Sequence, residues 1–474
     1  RKLWSTVAVR TVNAVFEPDG GMSVSPQAGS TVLAHARVAI AHAEKDAVAQ
    51  DATADLLDKI GVYLHHCNLL AQAQSFFEKA IAKYETQLGD HHPDLAAVIN
   101  NLAALHRDCH NDSDADQLWQ RSLQILESQL GADHLDVAVV LNNMAVLRHG
   151  QGRHGDAATL LRRALNIQES RLGTNHASVA GSLSNLGTVL HDQGEYAEAE
   201  RLLRRALKIQ ETRLGDDQLA IAVNLRNLGL LLHDQGKYTE ASTLLGRALK
   251  IQEAHLGDDH PDTALAANNL AAVLLDQGRM TDAETLLRRA LKIQEARLGD
   301  DHPAAASSVN HLAEVLHEQG RLGDAEPFYR RALKIHQYRL GDKHPQVATD
   351  LNNLAVLLHE QGNLSGAEPL YRRALEIYES HYGNDHPAVA TSMSNLAAMF
   401  AEQDKLSEAE PLYQRALAIR QAQLGDDHPD VAVSLTDMAA LLRKYGDEKT
   451  AQDLLHRIPV HYRRDLAADP SLSG

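Results

Sequence analysis

Apolar residues recur at spacings of three and four along nearly the whole chain, and residues 256–298 show the pattern in full. The first half of this stretch carries one apolar stripe, at Ala264, Leu265, Ala267, Leu270, Ala271 and Leu274. After a break at Gly278, a second stripe runs through Leu286, Leu287, Ala290, Leu291 and Ile293. Each stripe is typical of one face of an amphipathic helix. The pattern therefore predicts two helices joined by a tight turn.

The same hairpin returns every 42 residues. The glycine of a Leu-Gly pair, or of Tyr382-Gly383 in one unit, marks the phase, at Gly89, Gly131, Gly173, Gly215, Gly257, Gly299, Gly341, Gly383 and Gly425. A small residue marks each predicted first helix, at Gly61, Ala103, Ala145, Gly187, Gly229, Ala271, Ala313, Ala355, Ala397 and Ala439. One hairpin cannot bury its apolar faces alone, but stacked neighbours can. The sequence predicts an all-α fold, a right-handed α-solenoid (superhelix) of about ten helix hairpins with a concave and a convex surface.

The loop between units explains many of the 27 histidines. The Leu-Gly glycine is expected to end each second helix in the left-handed conformation, and the proline of Asp-His-Pro to open the next first helix. One histidine precedes most first helices, at His92, His134, His176, His260, His302, His344, His386 and His428. Metal ligands converge at about 2 Å from one ion, whereas equivalent positions on stacked helices lie roughly 8–10 Å apart. We therefore expect these histidines to support the helix starts.

The repeat unit resembles the tetratricopeptide repeat (TPR). The resemblance rests on Ala271, Ala283 and Ala290 at their spacing and on the turn glycine Gly278. The strings LNNLAVLL, AEPLYRRALEIYE and DHPAVA are very similar to the 42-residue repeats of kinesin light chains. The resemblance covers roughly residues 55–457 and implies a fold that binds a protein or peptide partner.

The repeat phase also predicts the domain boundaries. Residues 1–52 are expected to form leader helices and a linker, residues 53–458 a solenoid of ten units, and residues 459–474 a C-terminal cap and tail. Cys67 and Cys109 lie one period apart, and we expect both to pack in the interior without a disulfide. The polar tail after Pro459 is expected to cap the array.

Charge and hydropathy limit the classes of partner that the chain can bind. The net charge of −17 argues against nucleic acid and anionic membranes, which need a basic surface. No apolar run approaches the roughly 18 residues needed to span a bilayer. We therefore expect a cytoplasmic protein with no nucleic-acid or membrane partner. The acidity also suggests that a bound segment is neutral or basic.

The N-terminal segment carries a second resemblance. A helix containing Trp4 leads to VNAVF, a proline-bearing linker and the histidine-rich AHARVAIAHAE helix. This order is similar to the junction upstream of the sensor array in bacterial STAND ATPases, which carry an NB-ARC or NACHT module. The resemblance implies an upstream nucleotide-binding module in the same polypeptide. The chain itself contains no G-x-x-x-x-G-K-[ST] loop.

The candidate site is a polar face repeated on the first helices, which in TPR arrays lines the concave groove. The position three residues before the small residue of each first helix holds Asn100, Asn142, Ser184, Arg226, Asn268, Asn310, Asn352 and Ser394. The position four residues after that small residue holds His149, His191, His233, His317 and His359. Acids follow at Asp192, Asp234, Asp276, Glu318, Glu360 and Glu402. Arg226 and Glu314 are single departures from this pattern, and so are candidates for specificity.

Two interpretations of this face remain open. In one, the amides hydrogen-bond the backbone of an extended segment while histidines and acids select its side chains. In the other, the residues are solvated or hydrogen-bond between repeats. The motifs of an enzyme are missing, since no nucleophile, base and acid stand out from the repeat and no phosphate loop occurs. We predict a non-enzymatic binding module with no cofactor and no metal, either the sensor of a STAND-type switch or a constitutive kinesin-light-chain-like adaptor.

Overall fold

The computed structural model describes residues 2–15, 26–46, 49–214 and 219–459. Within these ranges all regular secondary structure is helical, and the chain divides into two compact units, residues 1–236 and 237–474. The predicted all-α solenoid of about ten TPR hairpins is confirmed. Three predicted features lie outside the described residues: the glycine at 215, most of the linker after residue 15, and the tail after Pro459.

The first unit contains two leader helices and then alternating first and second helices of the repeat. Its helices are α1 (Lys2–Val15), α2 (Pro26–Asp46), α3 (Gln50–His66), α4 (Leu70–Leu88), α5 (Pro93–Asp108), α6 (Asp112–Leu130), α7 (Leu135–Gly150), α8 (His154–Leu172), α9 (Ala177–Asp192), α10 (Tyr196–Leu214) and α11 (Leu219–Asp234).

The second unit continues the alternation. Its helices are α12 (Tyr238–Leu256), α13 (Pro261–Asp276), α14 (Met280–Leu298), α15 (Pro303–Glu318), α16 (Leu322–Leu340), α17 (Pro345–Glu360), α18 (Leu364–Tyr382), α19 (Pro387–Glu402), α20 (Leu406–Leu424), α21 (Pro429–Lys444) and α22 (Glu448–Arg457).

Within each unit a first helix packs against the second helix of its own hairpin and against the helix that precedes it in the chain. First helices also contact the next first helix, as α5 contacts α7 and α13 contacts α15. The small residue of each first helix lets the second helix of the same hairpin pack closely against it. A Cβ atom added to Gly187 would lie 2.7 Å from Leu203 Cγ, and one added to Gly61 would lie 2.6 Å from Phe77. At these two glycines even a Cβ atom would displace the facing side chain, and the equivalent position holds glycine or alanine in every unit.

The helix starts follow the prediction. In α15 the Nδ1 of His302 accepts a hydrogen bond from the backbone N–H of Ala304 at 3.2 Å, and Pro303 is the first helical residue. The same cap occurs at His92, His134, His176, His260, His344, His386 and His428. The side chain satisfies one of the free amides at the helix end, as Ser or Asp does elsewhere.

Two expectations need correction. Cys67 and Cys109 are exposed free thiols at the ends of α3 and α5, because the slot in the repeat lies in the turn and not on the apolar stripe. The Leu-Gly glycines have positive φ as expected, but ψ is extended: Gly299 has φ 92° and ψ 161°. This conformation differs from the left-handed helix and is open essentially to glycine alone.

Candidate functional site on the first helices

The amide row of the candidate site lies at the joints between successive first helices. In five of its members the side-chain oxygen accepts a hydrogen bond from the following repeat, where the donor is the residue 43 positions later. The contacts are Asn143 Nδ2 to Asn100 Oδ1 (2.8 Å), Asn227 Nδ2 to Ser184 Oγ (3.4 Å), His311 Nδ1 to Asn268 Oδ1 (3.1 Å), Asn353 Nδ2 to Asn310 Oδ1 (3.5 Å) and Asn395 Nδ2 to Asn352 Oδ1 (3.1 Å). The row therefore links one repeat to the next.

Other members of the row also have partners inside the protein. Asn142 donates to Ala138 O and accepts from Ser182 Oγ. Ser394 Oγ accepts from Arg420 Nη1 at 3.2 Å. Asn268 is only 3% exposed. The oxygen atoms of this row are thus engaged within the fold.

Sequence reasoning missed the donors of this network. Each is the second residue of the Asn-Asn-type pair, as in Asn142 and Asn143. The pair itself was a usable signal, because two adjacent amides that recur every 42 residues can face successive repeats from both sides.

The histidines and acids pair between repeats as well, again 43 residues apart. The Nε2 to carboxylate distances are 2.8 Å for His65 and Asp108, 2.5 Å for His149 and Asp192, 2.7 Å for His191 and Asp234, 2.7 Å for His317 and Glu360, and 2.9 Å for His359 and Glu402. His233 Nδ1 lies 3.8 Å from Asp234, which follows it in the same helix, so this contact does not belong to the series. A histidine at the end of one first helix thus reaches the acid at the end of the next. His65 and Asp108 belong to this series but were absent from the predicted set.

The two partners of each pair differ in exposure. The histidine side chains are 13–28% exposed, whereas the acids are 38–64% exposed. Aromatic rings cover part of the imidazoles, with Tyr329 beside His317 and Tyr371 beside His359. The carboxylates are therefore the part of the site that is most accessible to a ligand.

The environment of Asp192 favours its charged form. Burial alone would raise the pKa of this carboxyl, but the hydrogen bond from His149 and the nearby imidazoles of His191 and His154 lower the pKa below its ordinary value. Among the described residues, one group could hold a metal ion, and it consists of His149, His154 and Asp192.

The two departures from the pattern have different surroundings. Arg226 is partly buried on α11. Glu314 is partly buried on α15, where burial and the charges of Asp276 and Glu318 raise the pKa of its carboxyl, and His317 offsets part of that effect. Glu314 therefore adds an acid with a raised proton affinity to the polar face of the second unit.

The part of the chain that the structure describes contains no helix long and apolar enough to cross a membrane.

Comparison with known proteins identifies the repeat. One model of the tetratricopeptide repeat matches residues 94–170, 178–254, 221–296, 262–337, 305–380, 367–422 and 388–457, and a second matches residues 53–94. No curated protein sequence matches the chain significantly.

Several solved structures are similar to this chain. BtubC (BKLC) from P. vanneervenii is 26% identical over 50% of this chain and 93% of its own, with a TM-score of 0.40. A Podosopora anserina kinesin light chain with nearly identical TPR-like repeats is 24% identical over 42% of this chain and 94% of its own, with a TM-score of 0.37.

A third similar structure is larger than this chain. It is the STAND protein with a tetratricopeptide repeat sensor from Pyrococcus horikoshii, which is 19% identical over 76% of this chain and 52% of its own, with a TM-score of 0.50. The repeat models cover most of the sequence, and the consecutive helix pairs have the packing typical of this repeat. The chain belongs to the tetratricopeptide repeat family and is a protein-interaction module.

Proposed function

We propose that the chain is a non-enzymatic scaffold that binds a protein or peptide segment along the polar face of its first helices. One observation carries the proposal: the acids of this face are its accessible members. Glu360 and Glu402, one repeat apart in the second unit, are 51% and 64% exposed, while their histidine partners are mostly covered. Because the oxygens of the amide row accept hydrogen bonds within the fold, the carboxylates are the groups best placed to select a ligand.

The chemistry of the face defines the ligand. Regularly spaced, solvent-accessible carboxylates attract Lys and Arg side chains, and the net charge of −17 adds a long-range attraction for a basic segment. The proposed ligand is therefore a neutral or basic peptide, and its affinity falls as salt screens the charges.

A binding titration tests this proposal. Fluorescently labelled peptides of equal length, in basic, neutral and acidic sets, are titrated against the full chain at about 50 and 300 mM salt, concentrations that bracket a Debye length of about 10 Å. We expect the basic set to bind best and to weaken at high salt. Preference for acidic peptides, or affinity that is independent of salt, would contradict the proposal.

A matched pair of variants locates the binding surface. Glu360→Gln/Glu402→Gln removes two charges from the first helices α17 and α19. Glu376→Gln/Glu408→Gln removes two exposed charges from the second helices α18 and α20. Both variants change the net charge equally, so a loss of affinity in the first but not the second assigns binding to the first-helix face. Equal losses of affinity in both variants would show that the effect comes from the net charge and not from this face.

At the level of the whole polypeptide, the chain acts as the ligand-sensing array of a bacterial, cytoplasmic STAND-type signalling or defence ATPase. The N-terminal sequence pattern supports this role, and the STAND protein with a TPR sensor from P. horikoshii has the same kind of fold. The alternative is a constitutive adaptor resembling a kinesin light chain. Reading the native coding sequence upstream of Arg1 separates them: a P-loop module favours the sensor, and a coiled coil or no further domain favours the adaptor.

A further inference from the structure

Three potential metal ligands meet at one place in the first unit. His149 lies near the end of α7, His154 is the first residue of α8, and Asp192 is the last residue of α9. One ligand atom from each lies within 4.8 Å of the other two, and His149 Nε2 is 2.5 Å from Asp192 Oδ2. The helix pair and the following repeat thus bring two imidazoles and one carboxylate together.

The third ligand is specific to this repeat. The pairing of His149 with Asp192 recurs elsewhere, as in His191 with Asp234, and is a common feature of the array. His154 is not repeated. The same slot holds Leu70, Asp112, Tyr196, Tyr238, Met280, Leu322, Leu364, Leu406 and Glu448 in the other units. In the units of Asp112 and Glu448, arginine replaces the histidine that would complete a triad, at Arg107 and Arg443.

Packing alone does not require an imidazole at position 154. In the next repeat Tyr196 lies against His191 with ring centroids 5.8 Å apart, close to the 5.4 Å between His154 and His149. In addition, the Nδ1 of His154 is buried and has no hydrogen-bond partner among the described residues. A buried polar atom without a partner destabilises a fold, so packing gives no reason for an imidazole at this position.

We propose that His149, His154 and Asp192 form a binding site for a divalent transition-metal ion of the zinc class. Two imidazole nitrogens with one carboxylate oxygen suit Zn²⁺, Co²⁺ or Ni²⁺ and not Mg²⁺ or Ca²⁺, which prefer oxygen ligands. His149 and Asp192 are 28% and 40% exposed, so an ion can enter and keep water as a further ligand.

The geometry requires only a small adjustment. Two ligands of one tetrahedral zinc ion, each at about 2.1 Å, are about 3.4 Å apart. The three ligand atoms lie within 4.8 Å of one another, so side-chain movements of about 1 to 1.5 Å bring them to that spacing, and the hydrogen bond between His149 and Asp192 opens as the ion enters. The sequence argument against metal binding concerned equivalent positions on stacked helices, and His154 is not equivalent to His149.

Two variants test the site by loss and by gain. His154→Tyr gives the third repeat the residue of the fourth, and Tyr196→His places a third ligand beside His191 and Asp234. The full chain, free of any histidine tag and stripped with a chelator, is titrated at pH 7.5 with Zn²⁺ by calorimetry. It is also titrated with Co²⁺, monitored by visible absorption. Because the other histidines are unchanged, they provide the same background in each variant.

We expect one equivalent of zinc to bind the wild-type chain at least about tenfold more tightly than it binds His154→Tyr. Mutation of a residue that only hydrogen-bonds to a metal ligand already lowers metal affinity by about 10–100-fold. We expect Tyr196→His to gain a second equivalent. Equal zinc affinity in wild type and His154→Tyr, or no gain in Tyr196→His, would overturn the proposal. Circular dichroism checks folding, and His154→Gln replaces His154→Tyr if the latter unfolds.

Discussion

At the scale of single residues, polar pairs join four of the second helices to the first helices that follow them. The two members are 14 residues apart and their identities vary along the chain. The pairs are Gln168 with Ser182 (2.7 Å), Gln210 with Asn224 (2.6 Å), His336 with Asp350 (2.6 Å), and Arg420 with Ser434. In three of the four pairs both members are buried, so each must satisfy the other. The slot therefore tolerates exchange of pairs better than exchange of single residues.

The pair of His336 and Asp350 provides a direct test. Asp350→Ala leaves a buried imidazole without its partner and is expected to cost about 1–3 kcal/mol. His336→Gln/Asp350→Ser recreates the pair that Gln168 and Ser182 form in the first unit, and it is expected to cost much less. Urea unfolding of both variants measures the difference. A double variant as unstable as the single one would show that the pair is not interchangeable.

Asp58 illustrates the cost of placing an acid in the amide row. It occupies the slot of Asn100 in the first repeat, and Asn101 donates to it at 3.0 Å. Burial raises the pKa of Asp58 to about 6 from an ordinary 3.8, although the hydrogen bond from Asn101 opposes the shift. Between these two values the folded protein holds more protons than the unfolded chain. The free energy of unfolding therefore falls as pH rises through this window and is level above it.

Asp58→Asn removes this ionisation and keeps an oxygen that can accept from Asn101. We expect the variant to be more stable than wild type at pH 7.5, by on the order of 1 kcal/mol, and to lose the advantage at pH 4. Urea midpoints at the two pH values give the comparison. The same difference at both would show that the effect is steric and not electrostatic.

At the scale of elements, two glycine positions with positive φ differ in what they tolerate. The turn slot within each hairpin holds Asn68, His110 and Asp404 in place of glycine, with φ of 58–59°. The Leu-Gly slot occurs nine times along the chain and holds glycine each time. The reason is the backbone, since the left-handed turn accepts Asn or Asp, while positive φ with extended ψ accepts essentially only glycine. Whether a position with positive φ requires glycine therefore depends on its ψ angle as well.

Substitution at the two slots should separate these effects. Gly299→Asn in the Leu-Gly slot is expected to cost about 1–3 kcal/mol, although open space surrounds the position. Gly320→Asn in the turn of the next hairpin should cost well under half as much, because Asn68 occupies the equivalent position. Thermal unfolding of the two variants compares them. Similar losses would contradict the assignment of strain to the extended conformation.

At the scale of the whole molecule, each described helix packs mainly against its neighbours in the chain order. The helix α18, for example, packs against α17 and α19. Consecutive second helices add ion pairs 36 residues apart, such as Arg415 with Glu379 at 2.9 Å. In such an array stability is close to a sum of local terms and nearest-neighbour terms.

A core cavity should therefore have a graded effect along the second unit. Tyr371→Ala removes a ring that is 1% exposed in α18. Hydrogen exchange is expected to accelerate most in α17 to α19 and least in α12 and α13. Tyr371→Leu is the matched control, because Leu287 fills the equivalent slot, and it should change exchange only slightly. Uniform acceleration across the unit would indicate global instead of nearest-neighbour cooperativity.

The sequence by itself determined the features that depend on local pattern. The 42-residue period, the alternation of first and second helices, the proline and histidine starts such as His302 and Pro303, and pairs such as Glu284 with Arg288 all follow from spacing along one helix. Tertiary structure decided what depends on neighbouring repeats. It placed Asn143 on Asn100, His149 on Asp192 and His154 beside both, and it left Cys67 exposed. These contacts join residues on different helices, whose distances are set by the helix rotation and packing of successive hairpins and not by any periodicity within one.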